Sequence, residues 1–115
     1  MAETTMNIES LTDCESVVMK CLWDAEQDIS LMDIMDTLAT KYHKEWKRQT
    51  VSTFLLHLIN KNFVTSYRVG RVFYYHIEIP LDTYMKKVTT EFMDFWYDGD
   101  AYAYANALLH CREFS

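Results

Sequence analysis

The chain has 115 residues, half of them apolar and 15% aromatic, enough for one small packed domain or one domain with an oligomerisation arm. Two glycines and one proline disfavour disorder and Gly-rich phosphate loops, and no run approaches the ~20 apolar residues of a membrane span. A net charge of −6 argues against a nucleic-acid partner until its distribution is read: residues 41 to 71 carry Lys41, Lys44, Lys47, Arg48, Lys61, Arg68 and Arg71 against Glu45, a local balance of +6, while the rest carries 4 basic and 16 acidic side chains, a balance of −12.

Met1 to Ser10 is polar and acidic, with neither the basic nor the apolar region of a secretory leader, so a cytoplasmic protein is expected. Thr12-Asp13-Cys14-Glu15 matches a capping box, and an apolar stripe at Cys14, Val17, Val18, Cys21 and Leu22 predicts a first helix. The three cysteines, Cys14, Cys21 and Cys111, form an odd set without a C-x-x-C pair, which fits a reducing compartment. Cys14 and Cys21 share one helix face and read as small buried residues rather than metal ligands. Trp23 to Asp28 is expected to be an acidic loop.

Ser30, with Asp33 three residues on, marks a second helix start, followed by Leu31, Ile34, Met35, Leu38 and Tyr42 at helical spacing. A third helix is predicted from about Lys47 to Lys61. Val51, Phe54, Leu55, Leu58 and Ile59 fall on one side, and Gln49, Ser52, Thr53, Leu56 and Asn60 on the other. Its start carries no Ser, Thr, Asp or Asn cap. Beyond Asn62, Phe63 to Tyr67 and Val72 to Ile77 are rich in β-branched and aromatic residues and flank Arg68-Val69-Gly70-Arg71, which predicts a two-stranded hairpin with Gly70 in the turn. Pro80 ends it. A fourth helix follows from about Leu81 to Tyr97, stopped by Asp98-Gly99-Asp100 with Gly99 as the left-handed residue, and a short helix runs from Ala101 to about His110.

Three helices and a hairpin, with positive charge at the third helix entry and the hairpin tip, are the order of a winged helix-turn-helix DNA reader. The expected fold is mainly α with a small β-hairpin: a DNA-binding unit over residues 11–79 and a C-terminal helical dimerisation region over residues 80–115. In such a unit the outward side chains of the second helix of the pair touch base edges. Gln49, Ser52, Thr53 and Asn60 supply amide and hydroxyl groups for that role, with Thr50 and His57 at the margins. Lys44, Lys47 and Arg48 stand where phosphate or a guanine edge is within reach, Arg68 and Arg71 flank the wing turn, and Ser30 opens a helix whose amides can face phosphate. His43, His57, His76 and His110 show no ligand spacing and read as surface residues; no metal or other cofactor is expected. Trp46 is expected to pack at the entry of the third helix.

In this order the motifs resemble the penicillinase repressor family (the BlaI/MecI group and its copper-responsive CopY relatives), over about Leu11 to Leu109. Leu11 to Met19 is similar to the family's E-W-x-V-M opening, with Ser16 in place of its Trp, and Leu22-Trp23 follows. Gln49-Thr50-Val51-Ser52-Thr53 with Leu58 resembles its K-T-I-x-T-x-x-x-R-L recognition helix, Val72 to Tyr75 its aromatic wing strand, and Tyr97-Asp98-Gly99-Asp100 its Y-G-G-D break. The resemblance implies a homodimeric repressor on palindromic double-stranded operators, with Gln49, Thr50, Ser52 and Thr53 at the DNA. The family's inducible members are inactivated by cleavage at an Asn-Phe bond, so an upstream sensor or protease is a further implied partner; the corresponding place here reads Asn106-Ala107. Cys111 alone does not replace the C-x-C ligands of the copper-responsive members. The chain ends at Ser115, where relatives usually continue into another helix, so a shortened arm is expected.

The residues for self-association are Leu81, Met85, Val88, Phe92, Phe95 and Trp96, one side of the fourth helix and too large an apolar patch to leave in water. Two other readings stand beside the repressor: a winged-helix protein–protein interaction module, and a ligand-sensing regulator with Tyr84, Phe92, Trp96, Tyr102 and Tyr104 around a small pocket. An enzyme is not expected, since no nucleophile has a plausible base and no paired carboxylates share an evident cleft.

Overall fold

The computed structural model describes residues 8–113; the acidic stretch before Ile8 and the last two residues of the C-terminal region lie outside them. Five helices and three short strands follow in the order α1 (Asp13–Ala25), β1 (Ile29–Ser30), α2 (Leu31–Thr40), α3 (Arg48–Asn60), β2 (Val64–Val69), β3 (Val72–Ile77), α4 (Leu81–Tyr97) and α5 (Ala101–His110).

The capping box at Thr12 forms in both directions: Glu15 N–H donates to Thr12 Oγ1 at 3.2 Å, and Thr12 N–H donates to Glu15 Oε1 at 3.0 Å. α1 runs through Trp23, Asp24 and Ala25, which were expected in a loop, and stops only at Glu26 in the left-handed conformation (φ 58°). Trp23 accounts for the extra turn. Its indole N–H donates to the Ile79 carbonyl at 3.0 Å and its ring stacks on Tyr84, so the helix gains a buried anchor beyond the last aliphatic residue. Ser30 and Asp33 form a second reciprocal capping box at the start of α2. α2 ends at Thr40, so Tyr42 lies just past it rather than on its stripe.

The core is where α1, α2 and α3 pack together: Val18, Met19, Leu22, Ile34, Val51 and Leu58 are wholly buried. Met19 belongs to that core although it lies outside the expected stripe. Instead of a two-stranded hairpin, the sheet has three strands in the order β1-β3-β2, because Ile29 pairs with Tyr75 and Ser30 with Tyr74. Two residues carry no alternation to read, so β1 is invisible in the sequence. The hairpin register runs from Val64 opposite Ile77 to Val69 opposite Val72, leaving Gly70-Arg71 as a two-residue turn with Gly70 at φ +64°. Arg68 is therefore a strand residue and only Arg71 belongs to the turn. Phe63, expected in the strand, is instead a wholly buried plug before it, and its carbonyl accepts from Glu78 N–H at 2.8 Å.

α4 divides along its length. Tyr84 is buried, stacked on Trp23 and edge-on to Phe63, and Leu81 and Val88 pack partly buried against the same core. Lys87 lies with its stem buried and its Nζ bonded to Glu91 at 2.9 Å. Beyond it the helix leaves the core. Its stop uses two successive left-handed residues, Asp98 (φ 51°) and Gly99 (φ 79°), not Gly99 alone, and Gly99 N–H returns to the Met93 carbonyl at 3.2 Å. α5 folds back so that Tyr104 stacks on Phe92 and Tyr97, at 5.5 and 5.2 Å between ring centres. The Cα radius of gyration of 16.6 Å exceeds the ~13 Å of a compact domain of this size, as a projecting arm requires.

Candidate nucleic-acid interface

The seven basic residues between Lys41 and Arg71 separate into two groups once the chain is folded. Lys41 pairs with Asp24 at 2.6 Å, and Lys61 pairs with the buried carboxylate of Glu15 at 2.7 Å. Both are tied into the body of the fold. Lys44, Lys47, Arg48, Arg68 and Arg71 are exposed and make no ion pair among the described residues. These five are the cations expected to meet DNA.

The chain places them around α3. Lys47 is the N-cap residue and its side chain makes no capping bond, so the first-turn amides of α3 have no side-chain acceptor there and point outward beside two cationic side chains. Gln49, Thr50 and Thr53 are exposed and Ser52 is half-buried, while Val51, Leu55 and Leu58 turn inward. Thr53 Oγ1 donates to the Gln49 carbonyl at 3.0 Å, which leaves its lone pairs as acceptors for an outside donor. Lys44 lies 5.9 Å over the ring of Trp46, and Trp46 packs on Phe54 at 5.2 Å, so the aromatic pair holds the entry to α3 as expected.

A cleft of about 90 Å³ lies where the first turn of α2, the start of α3 and the wing turn converge, and its walls include Ser30, Met32, Arg48, Arg71 and Phe73. Residues 18 and 23 positions apart in sequence thus come to one place: a helix N-terminus and two guanidinium groups, with no carboxylate in the wall. Ser30 takes part through its position rather than its hydroxyl, which is buried and accepts from Asp33 N–H at 3.2 Å. The wing is braced from behind by Asp28, which accepts from Tyr67 Oη at 2.7 Å and lies 2.8 Å from His76 Nδ1. The Tyr67 hydroxyl and the His76 ring hold the Asp28 carboxyl below its ordinary value, and Asp28 in turn raises the His76 ring above 6.5. Arg68 lies on the wing 5.2 Å from the Phe73 ring centre, which orders its guanidinium above the sheet.

A model of the penicillinase repressor family matches residues 11–115. The chain belongs to the penicillinase repressor family. The penicillinase repressor of Bacillus licheniformis is 29% identical over 92 residues, which is 80% of this chain and 70% of that protein. An uncharacterized 16.5 kDa protein from the ptsI 3′ region of Latilactobacillus sakei is 32% identical over 89 residues, 77% of this chain and 57% of that one. The solution structure of the DNA-binding domain of the repressor BlaI superposes with a TM-score of 0.57 at 31% identity, covering 67% of this chain and 90% of that domain. The solution structure of the monomeric form of B. licheniformis BlaI in complex with the blaP half-operator gives 0.54 at the same identity and coverage. The fold is the winged helix of this family.

Within the family pattern, His57 stands where the recognition helix has Arg, and here its Nδ1 lies 3.5 Å from Glu15 Oε2. Of the residues named for self-association, Met85, Phe92, Phe95 and Trp96 are exposed, whereas Leu81 and Val88 face the core. The aromatic residues considered for a ligand pocket do not enclose one: Tyr84 is a core residue, and Tyr102 stands 90% exposed. Asn106 and Ala107 lie within α5, Asn106 exposed and Ala107 half-buried. Sequence reasoning missed the Asp28 brace, whose partners are 39 and 48 residues away and leave no local signal. The uncapped start of α3, by contrast, was already legible in the missing cap residue. No described helix is long and apolar enough to cross a membrane.

Proposed function

We propose that this chain is a DNA-binding transcriptional repressor that acts as a homodimer on a two-fold symmetric operator, with residues 11–79 reading DNA and residues 80–115 joining two copies. The observation that carries the reading is the convergence of two unpaired cations: Arg48 at the start of α3 and Arg71 in the wing turn line one cleft beside the α2 N-terminus. α3 is the helix that enters the major groove. Gln49, Thr50, Ser52 and Thr53 meet base edges, while Lys44, Lys47, Arg48, Arg68 and Arg71 hold the backbone. The likeness to a BlaI structure in complex with a half-operator supports the same docking. Repression follows from occupancy, since a bound dimer excludes other proteins from the same promoter segment.

The arm supplies the second copy. Phe95 and Trp96 stand 73% and 64% exposed and form an edge-to-face pair at 4.8 Å, with Phe92 alongside. Such a contiguous aromatic patch is stable in water only when covered, and a second copy of the same arm covers it by two-fold pairing. The B. licheniformis relative is a penicillinase repressor, which supports repression as the mode of action.

Salt dependence of binding to fragments selected from a random DNA pool tests the reading. With five unpaired cations on each protomer, a dimer neutralises roughly 6 to 10 phosphates, and affinity should fall about 10³- to 10⁵-fold between 50 and 200 mM salt. A flat response, or a pool from which no sequence is enriched, points instead to a protein–protein module.

A further inference from the structure

Before Leu81, the large apolar side chains that stand exposed among the described residues are Met32, Leu56, Tyr67, Val69, Val72 and Phe73. All six lie on the first turn of α2, the outward side of α3, or the wing. α1 and the long loop before α3 contribute none. Three of the six, Met32, Val72 and Phe73, line the same cleft as the unpaired Arg48 and Arg71. Leu56 is the most informative member. It is 55% exposed, while the core side of α3 is filled by Val51, Leu55 and Leu58, so Leu56 has no part in holding the fold. At 100° per residue, seven positions bring it to within about 20° of Gln49, so Gln49, Thr53, Leu56 and Asn60 form one outward line.

We infer that Leu56 is a specificity residue that reads the C5 methyl of a thymine in the operator. The inference rests on the DNA-reading function proposed above and names one base of its target. Of the features that base edges present in the major groove, donors and acceptors offer a leucine nothing. The thymine methyl is the apolar one, and cytosine lacks it. Leu56 sits about 10 Å along the helix axis from Gln49, so the thymine is a different base from the one that Gln49 meets. Polar side chains on either side, Thr53 and Asn60, leave that contact as the apolar centre of the line.

The experiment selects sites from a random pool with the intact chain, then replaces each selected thymine singly by uracil, which removes the methyl and keeps every hydrogen-bonding group. One thymine in each half-site should lose about three- to fivefold in affinity. Leu56→Ala should bind the all-thymine site weaker by a similar factor and become indifferent to uracil at that same position. Gln49→Ala should keep the sensitivity there. Alanine is the better helix former and the site is exposed, so the variant folds, and circular dichroism checks it. If Leu56→Ala retains every uracil effect, or no uracil affects the intact chain, the inference is overturned while the enriched pool still upholds DNA reading. If no sequence is enriched at all, the underlying function fails first.

Discussion

Glu15, in the first turn of α1, and Lys61, just past the end of α3, are 46 residues apart and meet at 2.7 Å. The carboxylate is 4% exposed at the side chain, and the same ammonium also bonds the Ser10 carbonyl at 2.9 Å. One lysine therefore fixes the far end of α3 to the capped start of α1. The near end, at Arg48, is left open to solvent.

Removing that lysine tests the arrangement. Burial by itself would push the Glu15 carboxyl up, but Lys61 and the Thr12 N–H outweigh it and hold the group below its ordinary value. A lowered carboxyl contributes stability that is present above its unfolded pKa and is lost as pH falls through the folded one. Lys61→Ala should cost about 2 to 4 kcal/mol at neutral pH, because a buried charge loses its partner. Its deficit against the parent should shrink as pH drops below the ordinary carboxylate range. Thermal melts at several pH values measure both; an equal deficit at all pH values would contradict the pairing.

The wing brace adds the opposite sign. His76 is raised by its bond to Asp28, and Asp28 is lowered by its bonds to Tyr67 and His76, so the pair's contribution is full between the ordinary carboxylate and histidine values. It is lost as pH rises through the elevated histidine value, and also as pH falls through the lowered carboxylate one. Proton-exchange NMR should show faster exchange of the Tyr67 to Tyr74 amides as the ring deprotonates. In Asp28→Asn the ring should titrate nearer its ordinary value, and the wing should exchange quickly across the whole range.

Base reading and backbone holding should separate by mutation. Gln49→Ala should weaken binding to a selected site by about 1 to 3 kcal/mol and change random DNA little. Arg71→Ala should weaken both to the same degree and lower the salt slope by about 1. Competition binding with selected and random fragments distinguishes them; equal losses for Gln49→Ala would mean that a different face of α3 meets the bases.

The arm makes a cleaner target for a charge than its first turns do. Phe92 also stacks on Tyr104, so altering it would loosen α5, whereas Phe95 is 73% exposed and its ring partner is the adjacent Trp96. Phe95→Asp should melt as the parent does when dilute, yet sediment as a monomer and bind a two-half-site fragment no better than a single half-site. A parent chain that sediments as a monomer at micromolar concentration would rule out the arm as a dimer contact.

Helix positions were legible in the sequence because their signals are local: both capping boxes, at Thr12 and Ser30, form as their spacing required. The hairpin turn was legible for the same reason, since Gly70 supplies the one conformation its neighbours resist. What escaped was non-local. Ile29 pairs with Tyr75 through two residues without periodicity, Asp28 serves partners across the sheet, and Lys87 hides an aliphatic stem that composition counts as surface. The arm was read as one continuous dimer face, yet Leu81 and Val88 turn to the core. Periodicity reports which side of a helix is apolar, not where along its length the neighbour ends. The site was legible as a set of charges, but folding decided which of them remain available, and it withdrew Lys41 and Lys61.

Because Trp23 holds Ile79 by its indole N–H and Tyr84 by stacking, the first turns of α4 move as one piece with α1. The 17 residues of α4 then act as a rod of roughly 25 Å rather than a tether. In the proposed dimer, the spacing and the helical phase of the two operator halves are both set by that rod. A single residue inserted after Val88 would turn everything beyond it by about 100° while lengthening it by only 1.5 Å. The two reading heads of that dimer would then face different sides of the duplex, so its target spacing would change only in steps that restore the rotation.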